Sequence, residues 1–312
     1  MRIAQYSRAD AQIWDDFINH CPMATFLHSR RFLSYHKNRF NDCSLLIFNN
    51  EKLCGVLPAA AEKRIVASHP GATYGGIVHN GRLSGKQMLA ALSAVIAHYK
   101  DQKFQTLLYK AVPTYYHQRP YADDIYALHQ KGARLLRCNL SSVIDLTDRG
   151  VVSTRRQRGK KKAIRANIRV DYGKSYAPAI WQLIEDNLLA QHNTVPAHTQ
   201  TEILHLANLF SDNIIFYAGI LKDSIVCGVV LFLSATVWHA QYIASNDEGR
   251  KIGALDFLFE SLILQAQEKK IRYFSFGTSN IPSNGELNDG LHQFKQEFGA
   301  GSCAHLSHEI SL

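Results

Sequence analysis

Hydrophobic residues recur at three- and four-residue steps in the second half of the chain, after Gly253: Leu255, Leu258, Phe259, Leu262, Ile263 and Ala266. This spacing is typical of the buried face of an amphipathic helix. The preceding pattern predicts a strand over Val237–Ser245 and a turn over 246–254. The first amides of a helix lack partners within the helix, so we expect a phosphate-binding site at this turn, with positive charge from Arg250 and Lys251.

The same patterns predict two similar halves of an α/β (α+β) fold. In the first half we expect helices and strands over 9–19, 29–37, 44–49, 53–61, 88–99, 104–109, 124–130 and 134–146. The second half gives 179–192, 200–209, 213–220, 224–234, 237–245, the helix after Gly253, 271–276, 289–298 and 304–310. We predict domains over residues 1–150 and 151–312.

Two short sequences support a duplication, since they recur in the same order at nearly equal offsets. They are Cys54-Gly55-Val56 against Cys227-Gly228-Val229, and Gly81-Arg82-x-x-Gly85 against Gly249-Arg250-x-x-Gly253. Chance matches of short motifs are the alternative.

Composition narrows the class of protein. With 312 residues and 46% hydrophobic content, the chain can bury a full core. The longest apolar run, Ile225–Leu233, is too short to span a membrane, and the N-terminus has no hydrophobic signal segment, so we expect a cytoplasmic protein. The six cysteines form no C-x-x-C pair, and His192 and His198 lack a third nearby ligand, so we expect no metal.

Positive charge is concentrated between the two halves. The net charge is +9, which favours polyanionic partners. Residues 155–169 contain many lysines and arginines and no acid. This segment is either a solvated helix or linker, or a phosphate-binding element, and Arg158 and Lys162 are its candidate substrate-binding residues.

An ordered set of local patterns makes the chain similar to a known group. The patterns are Tyr109-Lys110 with Tyr116-His117, the basic segment from Arg155, Pro196-Ala197-His198-Thr199, Gln241–Ser245, Phe276-Gly277-Thr278-Ser279-Asn280, Leu287-Asn288-x-Gly290-Leu291, and Phe294-Lys295-x-x-Phe298-Gly299. Together they resemble the FemAB-like branch of the GNAT acyltransferase superfamily. The resemblance implies two tandem GNAT-like domains, each with a mixed, mostly antiparallel sheet flanked by helices.

The resemblance also implies an activity. Within this branch, the chain most resembles the acyl-CoA-dependent N-acyltransferases. These enzymes acylate the amino group of a dTDP- or UDP-linked amino deoxysugar that is made for surface polysaccharide. Leu255 stands where the GNAT turn has a small residue. Alternatives are an aminoacyl-tRNA-dependent transferase acting on a peptidoglycan precursor, and a non-catalytic anion or nucleic-acid binding protein. For the leading hypothesis we expect coenzyme A as cosubstrate, no nucleic acid and no membrane span, and a homodimer is possible.

In GNAT-like enzymes the strand before the phosphate turn diverges from the next strand, and its backbone amides face the pantetheine and the acyl carbonyl. The resemblance therefore implies a coenzyme site in the second domain, formed by Gln241, Tyr242, Ile243, Arg250, Lys251, Ile252, Gly253, Ala254 and Asn280.

Candidate catalytic residues follow from what acyl transfer to an amine requires, namely oxyanion stabilisation and a route for a proton. Candidate bases are His198, His239, His292, Asp289 and Glu297; for His198 the alternative is a polar residue at a helix entry. In FemAB-like enzymes the lysine of the Phe-Lys pair, here Lys295, is thought to stabilise the transition state; a solvated surface lysine is the alternative. Lys110, Tyr116 and His117 are candidate sugar or nucleobase contacts, or else residues that only pack a loop.

Overall fold

The computed structural model describes residues 1–36, 39–190 and 193–312; the side chains of residues 37, 38, 191 and 192, including His192, lie outside the described part. The chain divides into two compact units. Unit 1 contains Met1–Asn139 and Ala304–Leu312, and unit 2 contains Leu140–Cys303. The predicted boundary at residue 150 therefore differs from the compact units, because the eleven residues 140–150 belong to unit 2 and the C-terminal segment Ala304–Leu312 belongs to unit 1.

Unit 1 begins with β1 (Arg2–Gln5), α1 (Ala11–Asn19) and α2 (Arg30–Leu33). Its further elements are β2 (Asn41–Asp42), β3 (Leu45–Asn49), β4 (Lys52–Leu57), β5 (Ala60–Glu62), β6 (Ile65–Ala67), β7 (Val78–His79), α3 (Lys86–Asp101), β8 (Thr106–Lys110), α4 (Asp123–Gln130) and the start of β9 (Arg134–Asp145). One sheet has the order β1-β3-β4-β7. The buried face of α3, with Met88, Leu92, Val95 and Tyr99, packs in the core of this unit.

Unit 2 continues with α5 (Thr154–Arg165), β10 (Arg169–Tyr172), α6 (Ala177–His192) and α7 (Gln200–Leu209). Its remaining elements are β11 (Ile214–Leu221), β12 (Ser224–Leu233), β13 (Val237–Ser245), α8 (Asp247–Ile252), α9 (Ala254–Glu268), β14 (Tyr273–Thr278), α10 (Asp289–Gln296) and the start of β15 (Gly301–Ser311). The strands lie in the order β10-β11-β12-β13-β14-β9. All neighbouring pairs in this order are antiparallel except β13 and β14, which are parallel.

The predicted amphipathic helix is the centre of the unit 2 core. Leu258, Phe259, Leu262 and Ile263 of α9 are fully buried and pack with residues of β12, β13 and β14. Helix α5 packs closely against the start of α9: a Cβ atom placed on Gly159 would lie 1.6 Å from the side-chain oxygen Oδ2 of Asp256, and one on Gly253 would lie 2.6 Å from the Gly159 carbonyl oxygen. A side chain at either position would force its neighbours to move.

Equivalent glycines support the expected duplication. Gly85 and Gly253 both have positive φ and both stand at the N-cap of a long helix, α3 and α9 respectively. Gly55 lies in β4 and Gly228 in β12, each the second strand of an antiparallel hairpin. The repeated motifs therefore occupy corresponding places in the two units.

In one place the structure differs from the element predictions in a way that affects the site. The segment predicted as a turn over 246–254 contains the short helix α8, because the Asn246 side chain caps it by accepting a hydrogen bond from the Gly249 amide at 2.8 Å. The chain thus enters a helix at Asp247 and, after Gly253, a second helix at Ala254. None of the helices in the described part is long and apolar enough to cross a bilayer.

Candidate active site

Strands β13 and β14 diverge, as the resemblance implied. They pair in parallel only over Val237–His239, opposite Tyr273–Ser275. Just beyond, β13 carries a β-bulge: Val230 pairs with Tyr242 and Leu231 with Ala240, which leaves Gln241 as the extra residue. Bulges bend a strand and free backbone groups from the ladder. Gln241, Tyr242 and Ile243 are all partly exposed along the diverging segment.

Strand β14 is also irregular at this level. Its register with β9 shifts between Ser275 and Gly277. The Ser275 hydroxyl lies 3.1 Å from His239 Nδ1 and accepts from the Gly277 amide at 3.2 Å. Gly277 has φ +72, and a Cβ there would lie 3.1 Å from His239 Cε1. His239 is thus a buried residue that fixes the point of divergence rather than an open base.

Lys295 is positioned at the end of β14. Its ammonium group donates hydrogen bonds to the carbonyl oxygens of Thr278 at 2.7 Å and Gly277 at 3.2 Å, and the residue is 3% exposed. Burial lowers the pKa of Lys295 to about 8. Lys295 is therefore not a solvated surface lysine. An ammonium group has three N–H donors, and among the described residues only these two acceptors are assigned to it.

His198 and Tyr242 lie together on the α6 side of the sheet. His198 Nδ1 is 2.5 Å from the Tyr242 hydroxyl oxygen, and the Trp181 ring of α6 packs edge-on against Tyr242. His198 precedes Thr199, which caps α7 by accepting from the Glu202 amide. His198 is buried whereas Tyr242 is partly exposed. The sequence patterns had indicated Tyr242 only for its backbone.

The expected phosphate site at Ala254 does not have the predicted geometry. Ala254 is fully buried, and Gly159 of α5 covers the junction between α8 and α9. The expectation of exposed amides at Ala254 is therefore wrong, because the basic helix packs over them.

The two cations expected beside that site differ from each other. The Arg250 guanidinium donates to Asn187 Oδ1, to the Ser245 carbonyl oxygen and to Asp247 Oδ1, so it ties the turn to α6. Lys251 is exposed, and Ile252 packs against the core. Of the expected pair, Arg250 is held by protein acceptors.

The basic segment forms helix α5, whose two faces differ. On the inner face, Arg156 is buried and donates to Asp256 at 2.5 Å and to Glu297 at 2.8 Å, and Lys160 lies 3.4 Å from Glu260. Neutralisation therefore comes in part from acids of α9 and of the residue after α10. On the outer face, four exposed cations form no ion pair within the described part of the chain: Arg158, Lys161, Lys162 and Arg165.

The other candidates of unit 2 have structural contacts. Asn280 accepts from the Leu140 amide and donates to the Gly285 carbonyl oxygen, so it closes a loop. Glu297 is paired with Arg156, and Asp289 is exposed in the first turn of α10. His292 Nδ1 lies 3.4 Å from the Ser142 hydroxyl. These contacts make Tyr242, His198 and Lys295 the polar side chains that the structure places most directly for chemistry.

In unit 1, Lys110 donates to the carbonyl oxygens of Ala72 at 2.7 Å and Pro70 at 3.4 Å, and burial lowers its pKa to about 8. Tyr116 is buried between the rings of Tyr74 and Tyr115, and burial lowers the pKa of His117 to about 4. These three residues pack loops in the described structure.

A cavity of about 720 Å³ lies elsewhere in unit 1 and was not foreseen from the sequence. Arg8, Arg30, Arg31, His36 and His69 are among its lining residues. Arg30 pairs with Asp42, and its guanidinium carbon lies 3.7 Å from the centre of the Tyr6 ring. Only the contiguous arginines at 30 and 31 could have signalled this site, because the other residues come from four separate segments. No group of three or more potential metal ligands occurs among the described residues.

Part of the chain matches a known domain family. Residues 149–295 match the model of the acetyltransferase (GNAT) domain family. No curated protein sequence matches the chain.

Solved structures share the fold at low identity. FemX has a TM-score of 0.72 at 11% identity, with 100% of this chain and 98% of that chain covered. The C-terminal domain of a putative lysylphosphatidylglycerol synthetase from Agrobacterium fabrum has a TM-score of 0.63 at 12% identity, with 96% and 91% covered. A tandem GNAT protein from the clavulanic acid biosynthesis pathway has a TM-score of 0.51 at 11% identity, with 99% and 98% covered. The predicted tandem α/β fold is thus confirmed, and residues 149–295 are similar to the acetyltransferase (GNAT) domain within a fold similar to those of FemX and a tandem GNAT protein.

Proposed function

We propose that this chain transfers an acyl group to an amine at the place where β13 and β14 diverge. The observation that carries the proposal is the divergence itself, with the bulge at Gln241 on one strand and the buried Lys295 ammonium at the end of the other. Backbone amides freed by the bulge can donate to the acyl carbonyl oxygen, and a nearby cation stabilises the oxyanion as it forms. The GNAT domain match supports this class of reaction.

The second part of the proposal concerns the donor of the acyl group. GNAT domains generally use acyl-CoA, which the sequence also led us to expect. Two observations favour the alternative donor, an aminoacyl-tRNA: α5 covers the amides at Ala254, and the four outer cations of α5 have no assigned acid partner among the described residues. The fold similarity to FemX and to a synthetase named for a lysyl-bearing product points the same way.

The acceptor expected from the resemblance, a nucleotide-linked amino sugar, remains part of this proposal. We propose separately that the cavity of unit 1 binds a nucleotide. That cavity is of ordinary ligand size, and Arg8 and Arg31 on its wall can face phosphate oxygens. Replacing Arg8 and Arg31 with alanine should weaken UDP binding measured by calorimetry, whereas replacing the exposed Arg137 should leave it unchanged.

The reaction is tested with both donors and one set of acceptors. Purified chain is incubated with acyl-CoA or aminoacyl-tRNA and with dTDP- and UDP-linked amino sugars, and released thiol or deacylated tRNA is measured against donor hydrolysis. We expect amine-dependent release from one donor. Lys295→Met should reduce it by about 10²-fold or more, as loss of an oxyanion donor does.

The matched control is Lys269→Met, since Lys269 is an exposed lysine after α9. It should retain activity. Absence of transfer from both donors over the whole panel would contradict the proposed function.

A further inference from the structure

Tyr242 and His198 form a pair that extends from the diverging strands toward the loop before α7. Ala240 and Ile243 of β13 pack in the core on the α9 side. The bulge at Gln241 changes which residues face each side, so Tyr242 points instead toward α6, where its ring meets Trp181 at 4.9 Å between ring centres. Without the extra residue, simple alternation from Ala240 would place Tyr242 in the core.

The order of the two groups follows from their exposure. His198 is only 7% exposed, and its Nδ1 lies 2.5 Å from the Tyr242 hydroxyl oxygen. Tyr242 is partly exposed and next to the bulge. Of the two groups, the phenol is therefore the one exposed to a bound molecule, and the imidazole lies behind it.

The imidazole is held in place by its surroundings. His198 directly precedes the capping box in which Thr199 and Glu202 exchange hydrogen bonds at the start of α7. Its ring also packs edge-on against Tyr242, with 5.9 Å between ring centres. A short hydrogen bond between two side chains suits proton transfer, which needs donor and acceptor within about 3 Å.

We propose that Tyr242 is the catalytic residue that removes the proton from the attacking amine, and that His198 acts through it by accepting the phenolic proton. This inference rests on the proposed function, since it assigns the proton route of the same reaction.

The proposed step balances. The amine nitrogen bonds to the acyl carbon, and the bond from that carbon to the leaving sulfur or oxygen breaks. The amine proton passes to the Tyr242 oxygen while the phenolic proton passes to His198 Nδ1. The imidazolium then returns its proton through Tyr242 to the leaving group, so that the only net proton movement is from the amine to the leaving group.

Two variants test this route in the full chain. Tyr242→Phe keeps the ring against Trp181 and removes the hydroxyl, and His198→Gln keeps a hydrogen-bond acceptor that does not titrate near neutral pH. We expect each to lower kcat by about 10²-fold, the usual lower bound for a general base, with KM for the donor unchanged. In His198→Gln the fall of kcat toward acid pH, caused by protonation of a histidine, should disappear.

Matched controls are Tyr172→Phe and His205→Gln, which change an exposed tyrosine of β10 and an exposed histidine of α7. Both should keep the rate and pH profile of the unaltered chain. Hydroxylamine as acceptor supplies a second readout, because its nitrogen is far less basic than an alkylamine and needs less help to lose a proton. With hydroxylamine, the deficits of Tyr242→Phe and His198→Gln should shrink toward unity.

NMR spectroscopy tests the contact between Tyr242 and His198 without relying on enzyme turnover. In ¹⁵N NMR spectra of histidine-labelled chain, Tyr242→Phe should move the Nδ1 resonance of His198 and shift its titration, and Tyr172→Phe should not. An unmoved resonance, or variants with full activity and an intact acid limb, would overturn the relay alone. Absence of any transfer by the unaltered chain would instead overturn the proposed function, and the catalytic role of the pair with it.

Discussion

Burial, which the sequence does not show, separates the lysines of this chain at the scale of single residues. Lys295 and Lys110 both donate to two backbone carbonyl oxygens, and burial lowers the pKa of both to about 8. Lys110 fastens a loop at residues 70–72, whereas Lys295 fastens the end of β14 beside the point of divergence. The two lysines are therefore similarly desolvated but have different roles, and only their positions in the fold distinguish these roles.

The Lys295 pKa predicts a pH dependence of stability. The pKa falls from 10.5 in the unfolded chain to about 8 in the folded chain, so between these values the unfolded chain binds more protons. The free energy of unfolding should then rise with pH, by up to about 1.4 kcal/mol per pH unit from this group. Relative to Lys295→Met, urea unfolding of the unaltered chain should show that gain from about pH 8 upward, and none below.

Lys269→Met provides the comparison, because the exposed Lys269 side chain stays in water in both states. Its stability difference from the unaltered chain should be flat over the same pH range. A flat difference for Lys295→Met as well would contradict the buried ammonium.

At the scale of elements, the contact of α5 with α9 determines what the turn before α9 can do. Gly159 and Gly253 bring the two helix backbones together, and Arg156 joins Asp256 and Glu297 beneath them. A buried charge that loses its partner costs about 3–5 kcal/mol, so this network holds α5 in place firmly. The helix start at Ala254 is covered for that reason.

The glycine contact gives a prediction about stability. In an open helix, Gly→Ala gains up to about 1 kcal/mol. At Gly159 the new Cβ would lie 1.6 Å from Asp256 Oδ2, so the carboxylate must move and the Arg156–Asp256 pair is disturbed. We expect Gly159→Ala to lower the free energy of unfolding by about 1–3 kcal/mol in urea titrations.

Gly290 of α10 offers a matched control, because the nearest atom to a Cβ there is 3.7 Å away. Gly290→Ala should leave the free energy of unfolding unchanged or raise it by up to about 1 kcal/mol, as in an open helix. Equal effects of the two substitutions would show that α5 yields easily and does not cover α9 firmly.

Hydrophobic periodicity was sufficient for the elements with one buried face. It gave α7 and β13 with their observed bounds, and α9 with its buried residues. It missed β1, β6 and β10, which have only three or four residues and too few alternations to detect. It also took 246–254 for a turn, because the cap formed by Asn246 and the cover supplied by Gly159 depend on distant or side-chain contacts.

The candidate site was predictable only in part for the same reason. The strand divergence and the importance of Lys295 came from the resemblance of local sequence patterns. The burial of His198 behind Tyr242 depends on the bulge at Gln241, a register shift that no sequence period reveals. The cavity of unit 1 joins residues 8, 30, 36 and 69, which only the folded chain brings together.

At the scale of the whole molecule, the boundary between the two units differs from the one that the sequence predicted. The chain leaves unit 1 within β9 and returns to it within β15, so the predicted boundary at residue 150, shortly before the basic segment 155–169, divides the chain differently. Residues 141–145 of β9 pair with β14, and Ile144 and Leu146 are buried in the unit 2 core. A change in composition along the sequence marks a surface segment, whereas membership of a compact unit depends on which residues pack together in its core.

Part of the net charge of +9 lies on exposed residues of α5, and its position allows a test that distinguishes the two donors. The inner cations of α5 are neutralised by acids, so the positive field near α5 comes from Arg158, Lys161, Lys162 and Arg165. Replacing all four with glutamine should weaken tRNA binding and make it less salt-dependent, because each lost phosphate contact removes about 0.7–0.9 from the slope of log K against log salt. Coenzyme A affinity should stay unchanged.

The control is a variant with glutamine at four exposed lysines of unit 1, Lys63, Lys100, Lys103 and Lys131. In this variant, fluorescence titration should show unchanged affinities for both ligands and unchanged salt slopes. If the two quadruple variants lose tRNA equally, the attraction is only that of a basic protein; if the α5 variant loses coenzyme A instead, these cations bind the coenzyme phosphates and acyl-CoA is the donor.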